Sequence, residues 1–262
     1  MICVSLKGRL CNQMFQIAAG MALSVDNCVP FVCSRNSLGI IPTAKETSIY
    51  RDTIFKKIKF KNIIFQNFHT HVEPADFSYK KIEYKKNTIL TGYYQSEKYF
   101  KHNEEVIKKL FECDKQILDY IDKKYSNLIS KENTCSVHVR RGDYLKYKDS
   151  HYNLPKKYYE NCFSIKKDDH FVFFSDDIEW CKDTFKGMDC TFIEKQTDVV
   201  DFYLMSMMKN NIIANSTFSW WAGWMNNNKN KRVLAPKNWF GPKNKNLYTG
   251  DIIPENWEII DG

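Results

Sequence analysis

The sequence predicts an α/β fold with mainly parallel strands. From residue 134 onward, short apolar runs alternate with segments of helical periodicity, which is the pattern of successive βαβ units. Two of the runs, in HFVFFS and NIIAN, are nearly continuous in apolar residues, as expected of parallel strands buried on both faces. Hydrophobic residues make up 43% of the 262-residue chain, so a substantial core can form.

The N-terminal half shows a less regular alternation. MICVSL predicts a buried strand, and NQMFQIAAGMALSVDN (12–27) predicts a helix that ends near Asn27. Between residues 28 and 95, short apolar runs such as IIF and TILTGYY alternate with polar turns. Residues 97–129 predict one or two helices, and the charged stretch DKKYSNLISKEN at their end favours a domain boundary near residue 132. We therefore expect an N-terminal domain of residues 1–132 and a C-terminal domain of residues 133–262.

The C-terminal half resolves into predicted strands and helices in strict alternation. Strands are expected at TCSVHV (134–139), HFVFFS (170–175), CTFIE (190–194), NIIAN (211–215) and, last, RVLAP (232–236). Helices are expected at PKKYYENCFSI (155–165), DIEWCKDTF (177–185), DVVDFYLMSMMKN (198–210) and TFSWWAGWMNN (217–227). This order predicts parallel pairing of the strands.

Polar residues gather directly after several of these strands. RRGDY follows TCSVHV, SDD follows HFVFF, and NSTFSWW follows NIIA, while KGRLCNQ follows the first strand of the chain. In parallel α/β sheets, ligands bind beyond the carboxyl ends of the strands. The clusters therefore predict a ligand site at that edge.

Two adjacent arginines end the strand TCSVHV. Arg140 and Arg141 keep their charge at any physiological pH, and their planar donor groups match phosphate oxygens. Gly142 is expected to allow a sharp turn. Asp143 is expected either to pair with an arginine as a structural group or, as the nearest carboxylate of the motif, to act as a general base; Asp149 is a second candidate for the base.

A strand-to-helix junction at residues 215–219 predicts a second anion-binding element. The free amides at a helix start attract anions, and the short side chains of Asn215, Ser216, Thr217 and Ser219 add donors there. Ser216 or Thr217 can instead serve only as the N-cap of the helix. Trp220 and Trp221 are expected in the core rather than stacked on a base.

Asp176 and Asp177 follow the strand HFVFFS. A carboxylate at this place can accept two N–H bonds from the edge of guanine, or bonds from ribose hydroxyls. Asp177 is equally suited to cap the helix that follows it.

Several common sites are missing from the sequence. The chain has no phosphate loop of the Gly-x-x-x-x-Gly-Lys-Ser/Thr type, no Gly-x-Gly-x-x-Gly fingerprint and no Asp-x-Asp triplet. His69 and His71 lie two residues apart, which is a weak metal signal. We therefore expect no metal cofactor, so protein cations would have to meet the charge of a leaving diphosphate.

Composition bears on the partner and the compartment. The net charge of +8 indicates an anionic partner, such as a phosphorylated small molecule, a nucleic acid or a membrane surface, although scattered lysines also suit a solvated surface. Nine cysteines without a Cys-x-x-Cys pair, together with the lack of a signal peptide or a long apolar run, predict a cytoplasmic protein.

Three motifs in this order resemble one enzyme family. HVRRGDY resembles the His-x-Arg-x-Gly-Asp motif of α-1,2- and α-1,6-type fucosyltransferases. GRLCNQMFQIAAG resembles the N-terminal Gly-x-x-x-Asn-Gln-Met-Phe-Gln segment of the α-1,2 group, glycosyltransferase family 11, with Cys11 where glycine is usual. DFYLMSMMKNNIIANSTFSWWAGWMN resembles the most distinctive segment of the same group.

The resemblance implies a compact GT-B-like arrangement of two Rossmann-like domains and metal-independent, inverting transfer of L-fucose from GDP-fucose to O2 of a galactose. It implies that Arg140 contacts the diphosphate and that Arg141 assists. It also places His138 and Asp176 near the nucleoside, Asn12 and Gln13 at the cleft between the domains, and Ser216, Thr217, Phe218 and Ser219 at the helix start on the phosphate side. Asp177 and Asn215 remain substrate-binding candidates because they follow strands in the same clusters. The N-terminal domain would then lie on the acceptor side, and the C-terminal domain would bind GDP-fucose.

Other functions stay open at this stage. The same donor can serve another acceptor or linkage, a sugar nucleotide can bind without turnover, and a pI of about 8.9 with many aromatic residues also suits a nucleic-acid-binding module. We favour a galactose-terminated oligosaccharide or a lipid-linked glycan as the acceptor and expect no nucleic-acid partner. Membrane association would be peripheral at most.

Overall fold

The computed structural model describes residues 1–35 and 50–262, which form two compact units. The N-terminal unit comprises Met1–Asp114 and Tyr248–Pro254, and the C-terminal unit comprises Lys115–Leu247 and Glu255–Gly262. Each unit contains one parallel sheet, as the sequence predicts for the α/β class. Within residues 28–95, the stretch 36–49 lies outside the described residues.

The division between the units comes earlier than the predicted boundary near residue 132. The helix Lys115–Ile129 belongs to the C-terminal unit, and it buries Ile121 and Leu128, which lie on one face seven residues apart. Its Tyr120 hydroxyl donates to the Gln196 side chain at 2.8 Å. Because this amphipathic helix packs on the later part of the chain, the boundary falls before the helix and not after it.

The N-terminal unit has five described strands in the order β3-β2-β1-β5-β4, all parallel. The 17-residue helix α1 is buried over most of its length and confirms the helix expected at 12–27. The strands are β1 Ile2–Val4, β2 Phe31–Ser34, β3 Phe60–Lys61, β4 His69–Val72 and β5 Thr88–Thr91, and the α-helices are α1 Leu10–Asp26 and α2 Glu104–Leu110. Two short 3₁₀ turns, Glu97–Tyr99 and Lys101–Asn103, precede α2, so the predicted helical stretch 97–129 contains two α-helices with one in each unit.

The C-terminal unit has six described strands in the order β11-β10-β9-β6-β7-β8, again all parallel. The strands are β6 Thr134–Val139, β7 His170–Ser175, β8 Cys190–Phe192, β9 Asn210–Ile212, β10 Val233–Pro236 and β11 Glu258–Ile260. The helices are α3 Lys115–Ile129, α4 Gly142–Lys146, α5 Lys156–Ile165, α6 Ile178–Thr184, α7 Asp198–Ser206 and α8 Thr217–Met225.

Two elements of this unit are missing from the sequence prediction, and α7 and β9 end earlier than predicted, at Ser206 and Ile212. RVLAP is not the last strand, because Glu258–Ile260 pairs beside it as β11. A short helix, α4, begins at Gly142, where a sharp turn is expected from the sequence. Both elements are too short to show a hydrophobic period that could predict them.

The tryptophan pair after β9 belongs to the core. Trp220 and Trp221 have no exposed surface, and their rings contact each other with centroids 5.3 Å apart. Trp224 and Trp257 pack against Trp220 in the same cluster. Because no face of Trp220 or Trp221 is open, neither ring can stack on a nucleotide base.

A lysine side chain closes the C-terminal end of α8. Lys231 Nζ donates to the carbonyl oxygens of Gly223 at 2.8 Å, Trp224 at 3.2 Å and Asn226 at 2.7 Å. These carbonyls have no partner within the helix, so a cation there satisfies them and meets the negative end of the helix dipole.

The variant Lys231→Met keeps the aliphatic stem and removes the charge. We expect it to lower the free energy of unfolding by about 1–3 kcal/mol, because the helix-end carbonyls lose their donor. Urea denaturation measures the change, with Lys229→Met as the control because Lys229 is exposed. Equal stability of Lys231→Met and the wild type would show that the carbonyls need no cation.

No helix in the described ranges 1–35 and 50–262 combines the length and the apolar character needed to span a membrane.

Candidate functional site

The central strand β6 carries the charged site of the C-terminal unit. It lies between β9 and β7, so its carboxyl end is flanked by the loops that follow both neighbours. The clusters RRGDY, SDD and NSTFS therefore meet at one edge of the sheet, as the sequence predicts.

Arg140 is held by two carboxylates. Its Nη2 lies 2.6 Å from Asp143 Oδ1, and its Nη1 lies 3.0 Å from Asp176 Oδ2. The guanidinium also lies over the ring of Tyr144, 5.5 Å from the ring centroid. The Arg140 side chain keeps 20% of its surface exposed, so a ligand can reach the group without opening the fold.

Arg141 is fixed by a separate set of contacts. Its Nε lies 3.0 Å from Asp177 Oδ2, and its guanidinium lies 4.0 Å from the centroid of the Trp180 ring. The Arg141 backbone N–H donates to Asp176 Oδ1 at 2.9 Å. Asp177 Oδ1 also accepts from the Trp180 backbone N–H at 3.4 Å, so this residue both pairs with an arginine and caps α6.

Gly142 is required because the Asp176 side chain lies close to its backbone, and not because the chain turns there. A Cβ atom at this position would lie 2.5 Å from Asp176 Oδ2. Any side chain at residue 142 would therefore push Asp176 away from Arg140 and from the Arg141 amide. The predicted sharp turn at Gly142 is not what the structure shows, because the residue begins α4.

The start of α8 forms the other side of the site. Ser216 is the N-cap, and its side chain accepts from the Phe218 backbone N–H at 3.4 Å. Asn215 is buried, and its side chain donates to the carbonyls of Tyr152 at 2.8 Å and Trp239 at 2.9 Å. Thr217 and Phe218 are half-buried at the first turn. Capping by Ser216 leaves other amides of this turn available, so the helix start can still bind an anion.

His138 lies beneath this surface and is neutral. Its Nδ1 lies 2.9 Å from Ser219 Oγ, and its ring is 5.6 Å from that of Phe218. Burial, assisted by the charge of Arg140, lowers the pKa of His138 to about 3. The imidazole and the Ser219 hydroxyl are thus linked by a buried hydrogen bond that fixes the first turn of α8 against β6.

The low pKa of His138 predicts an acid-sensitive fold. Below pH 6.5 the unfolded chain binds a proton at this residue and the folded chain does not, so stability falls as the pH drops from 6.5 toward 3. Between pH 7 and pH 5 we expect the wild type to lose about 2 kcal/mol more than His138→Asn in the free energy of unfolding. Parallel losses in both proteins, measured by urea titrations at each pH, would contradict a neutral buried His138.

Asp201 is a candidate that sequence reasoning missed. It lies in the first turn of α7, its Oδ1 is buried, and among the described residues this oxygen has no hydrogen-bond partner. Burial, with a contribution from the Asp198 carboxylate, raises the pKa of Asp201 to about 7. The neighbouring Phe202 ring contacts that of Phe218, which places the start of α7 beside the start of α8. The sequence shows Asp201 only as a second acid in a helical first turn, which is a common helix-start signal.

The N-terminal motif residues Gln13 and Asn12 both make hydrogen bonds within the N-terminal unit. Gln13 is fully buried, and its Nε2 donates to the Gly8 carbonyl at 2.8 Å, so the side chain supports the loop after β1. Asn12 Oδ1 accepts from Gln95 Nε2 at 2.9 Å, which joins the start of α1 to the loop after β5. Cys11 is buried in α1.

The remaining sequence candidates are Asp149, His69 and His71. Asp149 is exposed in the loop after α4. His71 Nδ1 lies 3.0 Å from the Tyr94 hydroxyl, and His69 is exposed on β4. No group of three or more His, Cys, Asp or Glu residues arranged to hold a metal ion occurs among residues 1–35 and 50–262.

The site combines fixed charges of both signs. Two guanidinium groups face three carboxylates, and each guanidinium carries five N–H donors, only some of which these contacts occupy. The carboxylates therefore orient the arginines, while the remaining donors and the start of α8 can bind oxygen atoms of an anion. Such an arrangement suits a phosphate or a diphosphate.

Comparisons with known proteins identify a family and two related proteins. A family model described as "Glycosyl transferase family 11" matches residues 1–261. An alpha-1,2-colitosyltransferase of Escherichia coli is 33% identical over 98% of this chain and 97% of its own length. The O-antigen biosynthesis glycosyltransferase WbnK of Escherichia coli is 33% identical over 65% of this chain and 61% of its own length.

Among solved structures, the fucosyltransferase NodZ from Bradyrhizobium superposes with a TM-score of 0.50 at 14% sequence identity. The match covers 84% of this chain and 91% of that chain. At this identity the likeness concerns the fold, and it agrees with the GT-B-like class expected from the sequence.

Proposed function

The chain belongs to glycosyl transferase family 11, and on that premise we propose that it transfers L-fucose from GDP-fucose to O2 of a terminal β-galactose, with inversion and without a metal ion. The observation that carries the proposal is the arginine pair at the carboxyl end of β6, with the start of α8 on its other side. The relative named as an alpha-1,2-colitosyltransferase supports a 1,2 linkage.

The arginines supply the charge that the reaction needs. As the sugar leaves, negative charge grows on the β-phosphate oxygen, and donors fixed before the reaction lower the barrier by meeting it. Arg140 is the main group in this role because two carboxylates and a tyrosine ring hold it in place. Arg141 assists, and the amides at the start of α8 bind a second group of phosphate oxygens.

Asp143 is assigned to the positioning of Arg140. Its Oδ1 is 2.6 Å from Nη2 of the arginine, and a carboxylate so engaged is poorly placed to accept the proton of the acceptor. Of the two roles that the sequence allows for Asp143, arginine partner or general base, we therefore propose the first.

Guanine recognition is assigned to Asp201. Guanine presents two adjacent N–H donors on one edge, and a carboxylate oxygen without a partner is their complement. Asp176 and Asp177 are less suited to this task, because both are engaged by arginines or backbone amides. His138 and Phe218 would form the wall of the nucleoside pocket between these groups.

The lysine-rich segment at residues 80–86 supports a further part of the proposal. Lys80, Lys81, Lys85 and Lys86 are all exposed in it. Such a segment can hold the protein on an anionic membrane that carries a lipid-linked acceptor. Sedimentation with vesicles of anionic lipid, but not with neutral vesicles, is the expected result, and equal sedimentation with both would count against it.

The decisive experiment measures the reaction itself. The protein is incubated with GDP-fucose and a panel of galactose-terminated sugars, with and without a chelator, while GDP release is followed. We expect release that depends on the acceptor and is unchanged by chelator, and NMR of the product should show an inverted 1,2 linkage. Binding of GDP-fucose without release over the whole panel would instead indicate a non-catalytic sugar-nucleotide binder.

The donor sugar is tested in the same assay. Colitose is L-fucose without its 3-hydroxyl, so GDP-colitose differs from GDP-fucose by one oxygen atom. A site that hydrogen-bonds this hydroxyl discriminates against the deoxy sugar by several orders of magnitude. A higher kcat/KM for GDP-fucose supports the proposal, and the reverse preference would make the chain a colitosyltransferase.

A further inference from the structure

One tyrosine touches both of the phosphate-binding elements. The Tyr144 ring lies under the Arg140 guanidinium, and its centroid is 5.5 Å from the Cζ atom of Arg140. The Tyr144 hydroxyl donates to the Asn215 carbonyl at 2.9 Å, and Asn215 immediately precedes the Ser216 cap of α8. A single rigid side chain thus spans the distance between the arginine and the helix start.

The same ring is supported by a histidine. Tyr144 and His151 stack with ring centroids 4.2 Å apart and an interplanar angle of 7°. Burial and the Arg140 charge lower the pKa of His151, against the opposing effect of Asp143. A neutral imidazole can stack on the phenol without adding a cation beside Arg140.

The loop that carries His151 is fastened to the chain after β10. His151 bridges to Phe240 in antiparallel fashion, and the Gly241 N–H donates to the Ser150 carbonyl at 3.0 Å. A Cβ at residue 241 would lie 2.8 Å from the backbone nitrogen of His151, so the two segments are closer together than any residue but glycine allows. The side chain of Asn215 holds the same region through the carbonyls of Tyr152 and Trp239.

These contacts form one connected frame around Arg140. We propose that Tyr144, backed by His151, is the positioning residue of the diphosphate site: its ring sets the orientation of Arg140, and its hydroxyl sets the distance of Arg140 from the start of α8. The inference rests on the proposed function, since it concerns how the same site grips the diphosphate of the donor.

The frame has a catalytic consequence. Displacement of a substrate-positioning group by about 1 Å can cost on the order of 10²-fold in rate. Loss of the Tyr144 ring would remove the contact with the face of the Arg140 guanidinium, while Asp143 and Asp176 would still hold its edge through Nη2 and Nη1. The ring and the hydroxyl therefore make separable contributions.

Two tyrosines of the same segment give a matched test. Tyr144 is half-buried in the frame, whereas the Tyr147 side chain is 62% exposed. The variants Tyr144→Phe, Tyr144→Ala, Tyr147→Phe and Tyr147→Ala are each titrated with GDP and with GMP, and each is assayed for transfer.

The affinity ratio of GDP to GMP separates positioning from folding. Misplacement of Arg140 weakens the contact with the β-phosphate, which GMP lacks, whereas a damaged fold weakens both ligands alike. We expect Tyr144→Ala to reduce the ratio by about 10-fold and kcat by about 10²-fold, and Tyr144→Phe to reduce the ratio by about 3-fold. Neither change at Tyr147 should alter the ratio by as much as twofold.

The outcomes are distinct. An unchanged ratio in both Tyr144 variants overturns the inference, and so does a loss of the same size at Tyr147. The wild-type protein is first titrated with GDP and ADP. Equal affinity for the two nucleotides, or binding of neither, would overturn the proposed function itself, and this result is known before any variant is made.

Discussion

Replacement of Arg140 by alanine should lower kcat for fucosyl transfer by about 10²–10³-fold. The variant loses the donor that meets charge on the leaving diphosphate. It also leaves Asp143 and Asp176 without their shared cation, so two carboxylates then face an anionic substrate. Steady-state rates of GDP release with saturating acceptor measure the effect.

Two further variants define the cause. Arg140→Lys keeps the charge but loses the planar pair of donors, and we expect an intermediate rate. Arg232→Ala removes a different arginine of the same unit, one that pairs with Glu258 between β10 and β11, and its rate should match the wild type. Transfer by Arg140→Ala within about threefold of the wild type would refute the assignment.

The second large effect is expected at Asp201, where stability and function should change in opposite directions. The folded protein keeps the Asp201 proton up to about pH 7, while the unfolded chain loses it near pH 3.8. Stability therefore falls as the pH rises between these values, and a side chain that cannot ionise escapes the penalty. We expect Asp201→Asn to raise the free energy of unfolding by about 2–4 kcal/mol at pH 8 and to leave it nearly unchanged at pH 4.

The same Asp201→Asn change should weaken binding of the donor nucleotide. An asparagine offers one acceptor and two donors where the guanine edge requires acceptors, so we expect the affinity of Asp201→Asn for GDP to fall by about 10²-fold. Because the ionised carboxylate is the binding form, wild-type affinity for GDP should weaken as the pH drops below about 7. If Asp201→Asn were more stable than the wild type but bound GDP equally well, Asp201 would contribute neither to stability nor to donor binding.

The C-terminal strands are the part of the fold that is most visible in the sequence. β6 and β7 begin and end at the residues predicted, because their apolar runs are bounded by polar residues at both ends. The boundary between the units was less accessible, since nothing in the composition of α3 tells which unit its apolar face covers. β11 and α4 are too short for periodicity to mark them.

Some residues of the candidate site can likewise be predicted from the sequence, and others cannot. Arg140, Arg141 and the start of α8 are evident from polar residues that follow strands, which is a local signal. Asp143 is also a local partner that the sequence allows, whereas Asp176 and Asp177 are about 35 residues away and their pairing depends on how β6 and β7 align. Asp201 could not be singled out by sequence alone, since only its burial distinguishes it from the other acids of helix starts.

The central claim is that fixed guanidinium charge, in place of a divalent ion, meets the leaving diphosphate. A crystal structure of the protein with GDP, grown in the presence of Mg²⁺, tests it most directly. We expect the β-phosphate within hydrogen-bonding distance of the Arg140 guanidinium, with no ion bridging the two phosphates. A pyrophosphate far from both Arg140 and Arg141, or one held by bound magnesium, would contradict the account.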